Sequence, residues 1–256
     1  MPAMFGLDLT GKKSIVTGGS RGIGRAIARG LAEAGADVVV SSRDAAACAR
    51  AADEIGAGTG RRVVGIACDV SREDAVARLF DEIDALGVGP LDVAVTCAGV
   101  AELTPSIDLE RAQFQRMLDV HLLGSFDVAR RAARHMSGRG GAILLCSSIW
   151  GLGAQRMAAA YGAAKAGLCS LARTLAVEWA PLGIRVNALA PGLVDTDMTA
   201  PLLENAAIRD KMIKSVPLRR VSTPEEMVGA AVFLCSPAAS YVTGHVLVVD
   251  GGVLAR

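Results

Sequence analysis

Seven short apolar runs, each four to six residues long and most of them rich in Val and Ile, recur along this chain, and helix-length stretches separate them. The runs are Ser14–Thr17, Asp37–Ser41, Arg62–Ala67, Leu91–Thr96, Ala142–Ser147, Ile184–Leu189 and Val246–Val249. The intervening stretches are Gly22–Ala34, Ala45–Ile55, Arg72–Leu86, Glu110–Met136, Ala158–Ala180 and Pro224–Leu234. Strands that are apolar throughout, joined by helices, predict a parallel sheet covered on both faces. The composition suits it: 52% of the 256 residues are hydrophobic but only 4% aromatic, so Ala, Val, Leu and Ile must do the packing. No linker, repeat or compositional break divides the chain, which predicts a single α/β domain of the doubly wound, Rossmann type with seven parallel strands.

Composition also narrows the function classes. The formal charge is +1. The basic pairs Arg61-Arg62 and Arg219-Arg220 are too short for the stripe that nucleic acid requires. The six cysteines show no CxxC spacing and the three histidines no HExxH grouping, so neither a metal site nor a disulfide framework is expected. No run reaches membrane-spanning length and the N-terminus lacks a signal-peptide core, which predicts a soluble cytoplasmic protein.

The first strand, turn and helix read "SIVTGGSRGIGRAIARGLAEAG". Glycines 18, 22 and 24 permit a tight turn and close backbone approach to a phosphate, and the following helix offers free N–H groups there. Gly18, Ser20, Arg21, Gly22, Ile23 and Gly24 are therefore candidate dinucleotide contacts. A ribose 2′-hydroxyl selects a carboxylate at the end of the second strand; the residue there is Ser42, followed by Arg43. With Arg21, these groups suit a 2′-phosphate, so NADP(H) is expected over NAD(H). Against this stands the reading of Arg43 as a solvated surface cation. Asp44 fits a helix cap better than a ribose ligand.

Tyr161 and Lys165 are four apart on a predicted helix and share one face. A phenol alone is a poor acid–base group at neutral pH, and a nearby ammonium favours the phenolate. Ser148 falls at the C-terminal end of the fifth strand, where open α/β sheets place ligand contacts, and its hydroxyl suits a carbonyl oxygen. Pro191 to Thr223, an irregular stretch with Pro191, Pro201 and Pro217, reads as a substrate lid or else a plain surface excursion. Met198, Leu202, Leu203, Met212 and Ile213 would give such a lid an apolar wall. Its Arg209, Lys211, Lys214, Arg219 and Arg220 fit either an anion-attracting rim or solvated charge.

In order and spacing, "TGGSRGIG", "CDV", "CAG", Ser148, "YGAAK", "RVNALAPGLVDT" and "YVTGHVLVVDGG" make the chain resemble the short-chain dehydrogenase/reductase family, and 3-oxoacyl-ACP reductases within it. The resemblance implies hydride transfer between a nicotinamide and a carbonyl or alcohol carbon. Tyr161 would exchange the proton, Ser148 would orient the oxygen, and Lys165 would hold the ribose. It further implies that Asp69 and Val70 border the adenine and that Ala98 and Gly99 line the cleft. Pro191, Gly192, Val194 and Thr196 would embrace the nicotinamide amide, and the final strand would help build a homotetramer. Trp150, Gln155 and Met157 are substrate-contact candidates. The substrate is expected to be a small carbonyl or alcohol: first a 3-oxoacyl thioester, carrier- or CoA-linked, with sugar acids, cyclic alcohols and hydroxysteroids as alternatives. A non-catalytic NADP(H)-binding sensor is the alternative from another class.

Two residues depart from the family's pattern. Cys97 stands where an Asn is usual, and its weakly bonding thiol predicts looser contacts at that strand end. His121 stands where an Asn commonly helps link the lysine to solvent through water. Its imidazole would hold that water or carry protons itself near neutral pH; alternatively, it satisfies backbone groups at a helix distortion.

Overall fold

The computed structural model describes residues 6–255. Seven strands form one fully parallel sheet: β1 (Lys13–Thr17), β2 (Asp37–Ser42), β3 (Val63–Ala67), β4 (Val93–Thr96), β5 (Gly141–Cys146), β6 (Ile184–Pro191) and β7 (Val246–Val249). Their spatial order is 3-2-1-4-5-6-7. The chain thus winds outward from β1 to one edge, returns to the middle, and winds outward to the other. The reversal falls between β1 and β4, and a crevice opens there at the carboxyl ends of the strands.

Alternation along each strand divides the core in two. On one face, Ile15, Val39, Ile66, Ile143 and Val186 pack against α3 (Glu73–Ala85), α5 (Gly124–Met136) and α6 (Ala159–Trp179). On the other, Val16, Val38, Val40, Val95 and Leu144 pack against α1 (Gly22–Glu33), α2 (Ala45–Thr59) and α9 (Val228–Cys235). Each large aliphatic side chain so buried contributes about 1.5–3 kcal/mol. Among the described residues β7 pairs with β6 alone, at the edge of the sheet.

Two expectations need correcting. Glu110–Met136 is not one α-helix: α4 (Arg111–Leu118) gives way to a π-helical turn at Asp119–Leu123 before α5 begins. Gly124 explains why this bend fits, because a Cβ there would lie 2.6 Å from the Val70 carbonyl oxygen. Nor is 191–223 irregular throughout. β6 continues to Pro191, α7 (Ala200–Leu203) and α8 (Ala206–Ser215) follow, and Val194 forms a parallel bridge with Ser222. No helix among the described residues is long and apolar enough to cross a membrane.

Candidate active site

At the switch point the turn after β1 presses against the turn after β4. A Cβ on Gly18 would stand 2.6 Å from the Ala98 nitrogen, and one on Gly24 would stand 2.2 Å from the Gly18 oxygen. Neither position admits a side chain, so backbone alone forms this floor. The crevice is lined on one side by Gly18, Ser20, Arg21, Gly22, Ile23 and Gly24, and at its far end by Ser42 and Arg43. Asp69, Val70, Cys97, Ala98, Gly99 and Thr196 complete the predicted contacts found there. A glycine cradle at a helix N-terminus, with two arginines among its lining residues, fits a dinucleotide bearing an extra phosphate.

Several linings are already engaged. Asp44 caps α2 by accepting from the Ala47 N–H at 3.0 Å. Asp69 Oδ1 accepts from the Ser71 N–H and hydroxyl, which leaves Oδ2. Arg21 pairs with Asp197 at 3.2 Å, tying the glycine turn to the start of the 191–223 connection. Arg220 is held by both carboxylate oxygens of Glu226 and so is not a free rim cation, whereas Arg219 donates to the Lys214 carbonyl and keeps its charge. Of the four residues expected around the amide, Thr196 lines the crevice. Pro191, Gly192 and Val194 are at or just beyond the end of β6 and are not among its lining residues. Cys68, Val100, Val120 and Asp197 also line it; Cys68 opens "CDV", Val100 directly follows "CAG" and Asp197 directly follows "RVNALAPGLVDT", whereas Val120 adjoins no motif.

Ser148, Tyr161 and Lys165 come from one β5–turn–α6 unit. Gly151 lets the turn lie on the helix, since a Cβ there would be 2.6 Å from the Lys165 carbonyl carbon. The Ser147 hydroxyl donates to the Lys165 carbonyl oxygen at 2.8 Å and fastens strand end to helix. Ser148 Oγ accepts from the Trp150 N–H at 3.2 Å and keeps its own hydrogen to donate. The Tyr161 ring lies edge-to-face against Trp150 on one contact and His121 on another, with centroids 5.7 and 5.2 Å away. Such geometry suits aromatic quadrupoles and fixes the phenol's direction. The buried Lys165 ammonium lies 5.5 Å from the Tyr161 ring centroid and donates to the Cys146 carbonyl at 2.7 Å, which leaves two hydrogens unspent. Gln155 and Met157 are exposed; Met157 has φ of 65°, and its carbonyl accepts from the Thr104 N–H.

His121 occupies the π-helical turn and is 1% exposed. Its Nε2 lies 2.7 Å from the Val100 carbonyl oxygen and 3.2 Å from the Val100 nitrogen; the shorter contact, oxygen against nitrogen, is favourable with the proton on Nε2. Nδ1 is then a buried acceptor without a partner among the described residues. Burial, aided by the Lys165 ammonium, pushes the imidazole down to about 3, against a smaller opposing effect of its bond to Val100. His121 is therefore neutral throughout the neutral range. This corrects the expectation of an imidazole carrying protons near pH 7 and leaves the backbone-satisfying and water-holding readings.

The linkage to stability follows in sign. The unfolded state binds a proton below its ordinary value of 6.5 while the folded state does not. Stability attributable to His121 is complete above about pH 6.5 and is lost as pH falls toward 3, by up to about 1.4 kcal/mol per pH unit. His121→Asn should shallow that acid limb of the unfolding free energy; an unchanged slope by chemical denaturation between pH 4 and 7 would contradict it.

Cys97 meets Cys146, the next pair in the β4–β5 register. Bonding to Cys97 and burial push the Cys146 thiol well up. That bond and the nearby Lys165 hold Cys97 below its ordinary value despite burial. The Cys97 N–H donates to the Thr17 carbonyl at 3.0 Å, a backbone bond that does not depend on the thiol.

With the glycine cradle at the switch point and the serine, tyrosine and lysine beside it, the chain belongs to the short-chain dehydrogenase/reductase family, oxidoreductases acting on CH–OH and C=O groups. A family profile described as enoyl-(acyl carrier protein) reductase matches residues 18–254. The chain is 40% identical over 252 residues to a galactitol 2-dehydrogenase (L-tagatose-forming) of Cereibacter sphaeroides, covering 97% of this chain and 96% of that one. It is 38% identical over 248 residues to a 3-oxoacyl-[acyl-carrier-protein] reductase of Aquifex aeolicus, covering 96% and 99%. A gluconate 5-dehydrogenase of Burkholderia cenocepacia, solved in complex with NADP and tartrate, superposes with a TM-score of 0.94 at 35% identity over 98% of each chain.

Proposed function

We propose that this protein interconverts a secondary alcohol and a ketone with NADP(H), and that Tyr161 exchanges the proton at the reacting oxygen. The observation that carries the reading is the gathering of Ser148, Tyr161 and the buried Lys165 ammonium on one unit, which packs through His121 against Val100 in the crevice wall although the three are not themselves among its lining residues. Ser148 donates to the substrate oxygen and fixes it. Tyr161, held in direction by His121 and Trp150, gives a proton to that oxygen in reduction and takes it back in oxidation. The Lys165 ammonium, buried 5.5 Å from the Tyr161 ring centroid, keeps two hydrogens with which it would hold the ribose. When bound, the nicotinamide supplies or accepts the hydride. The thioester reductase and the polyol dehydrogenase named above both support carbonyl–alcohol chemistry, so the substrate class stays with the residues that line the site.

Ser42 in place of a carboxylate at the end of the second strand, with the exposed Arg43 and Arg21 beside it, supports the preference for a 2′-phosphate. Arg43→Ala should raise the KM for NADPH about ten- to hundredfold, the loss of a charge-assisted contact, and barely alter that for NADH. Equal use of both cofactors by the parent protein removes the preference. A ketone panel with NADPH tests the reaction itself: tight NADPH binding without any turnover would favour a sensor. Assembly into a tetramer through the free edge of β7 belongs to the same reading, and a monomer mass by light scattering would remove it.

A further inference from the structure

Cys97, one of the two departures from the family's pattern, has no part in the chemistry proposed above. It lies just past the end of β4, half-buried, and lines the dinucleotide crevice. The other five cysteines are buried. Thr96 pairs with Leu145 in the parallel register, so Cys97 and Cys146 stand side by side one step further on. Both side chains join the core cluster on the α1 side of the sheet. Adjacent strands run about 4.8 Å apart, inside the span of roughly 4.4–6.8 Å that a disulfide accepts between Cα atoms.

The two thiols are unequal. Cys146 is 5% exposed and absent from the crevice lining, whereas Cys97 is open to the crevice. The bond between the thiols, and after it the Lys165 ammonium anchored on the Cys146 carbonyl at 2.7 Å, holds Cys97 below its ordinary value. Cys68, also in the lining, is its opposite: burial pushes that thiol up to about 11. The thiolate is the attacking form. An oxidant in the crevice therefore meets one reactive sulfur with a second sulfur behind it.

We infer that Cys97 and Cys146 are a redox pair: hydrogen peroxide entering the dinucleotide crevice oxidises Cys97, and Cys146 closes it into a disulfide that weakens NADP(H) binding. The inference rests on the crevice being the NADP(H) site. The Cys97 thiolate attacks the peroxide; an S–O bond forms as the O–O bond breaks, and the departing hydroxide takes up the thiol's proton as water. The Cys146 thiol then displaces the hydroxyl of the sulfenic acid as a second water, and the S–S bond forms. Two thiols are oxidised and one peroxide is reduced to two waters. The new bond draws Cys97 toward β5, and Ala98 follows it. Since a Cβ on Gly18 would stand 2.6 Å from the Ala98 nitrogen, the glycine turn has no slack to absorb that movement.

The test treats the purified protein with hydrogen peroxide, with and without saturating NADP+, and combines disulfide mapping by mass spectrometry with NADPH titration. The expected result is one Cys97–Cys146 bond that forms more slowly with NADP+ bound. The Kd for NADPH should rise about tenfold, the worth of one hydrogen bond, and dithiothreitol should restore it. Cys146→Ala should form no such bond, its Cys97 gaining oxygen instead. Cys235→Ala, which removes another buried thiol near Cys146, should form it as the parent does. A bond mapped between Cys146 and Cys235, a parent Cys97 that gains oxygen without any bond, or a disulfide that leaves the Kd unchanged would each overturn the inference. Absence of NADPH binding before any oxidation would instead remove the cofactor reading, and with it the control over the cofactor inferred for this pair.

Discussion

Tyr161→Phe is expected to lower kcat by about 10²–10⁴-fold, the usual contribution of a positioned acid–base group, while the Kd for NADPH stays near that of the parent. The variant keeps the ring, and with it the edge-to-face contacts to His121 and Trp150. Only the oxygen is lost, so unfolding free energy should move by no more than about 0.5 kcal/mol. The change therefore separates proton exchange from packing. His121 cannot substitute as the acid, because burial keeps its imidazole neutral down to about pH 3. Steady-state kinetics with melting curves decide the matter: a kcat within threefold of the parent would assign the proton to another group.

Lys165→Met should part activity from stability. Lys165 is 6% exposed, and the one bond of its ammonium within the described chain is to the Cys146 carbonyl. Burying a charge costs several kcal/mol even after relaxation, a cost that Met of similar length avoids. Against that gain, the Cys146 carbonyl loses its donor, at about 1–3 kcal/mol. These contributions oppose each other, and stability should change by no more than about 2 kcal/mol. Turnover should fall about 10²–10³-fold, as when one preorganised electrostatic donor is removed, and the KM for NADPH should rise with the loss of the ribose contact. A variant that unfolds on purification, or one that retains full turnover, would contradict the assigned position of this charge.

The sheet was legible because its signal is local. Each strand is a short apolar run, and a one-residue change of register would turn every side chain to the wrong face, so boundaries came within about two residues for most strands. The Ser148–Tyr161–Lys165 set was legible for the same reason: 18 residues of continuous chain carry it. What stayed hidden depends on contacts distant in sequence. The π-helical turn at Asp119–Leu123 reflects His121 reaching back to Val100 and Gly124 lying on Val70, and helical periodicity records neither. The pairing of Arg21 with Asp197 joins residues 176 positions apart. Arg220 looked like a rim cation until Glu226 was seen to hold it.

The hydroxyl of Ser147 on the Lys165 carbonyl turns β5, its following turn and α6 into a single clamped piece. The reactive groups thus travel together as one inherited cassette. The connection after β4 and the helices that follow β6 lie outside that piece. Drift in those outer segments can redirect the protein to a new alcohol without disturbing the distances on which the chemistry depends, whereas drift within the cassette changes all three groups at once. Selection on such a chain would act on two separate clocks, slow for the clamp and fast for its borders.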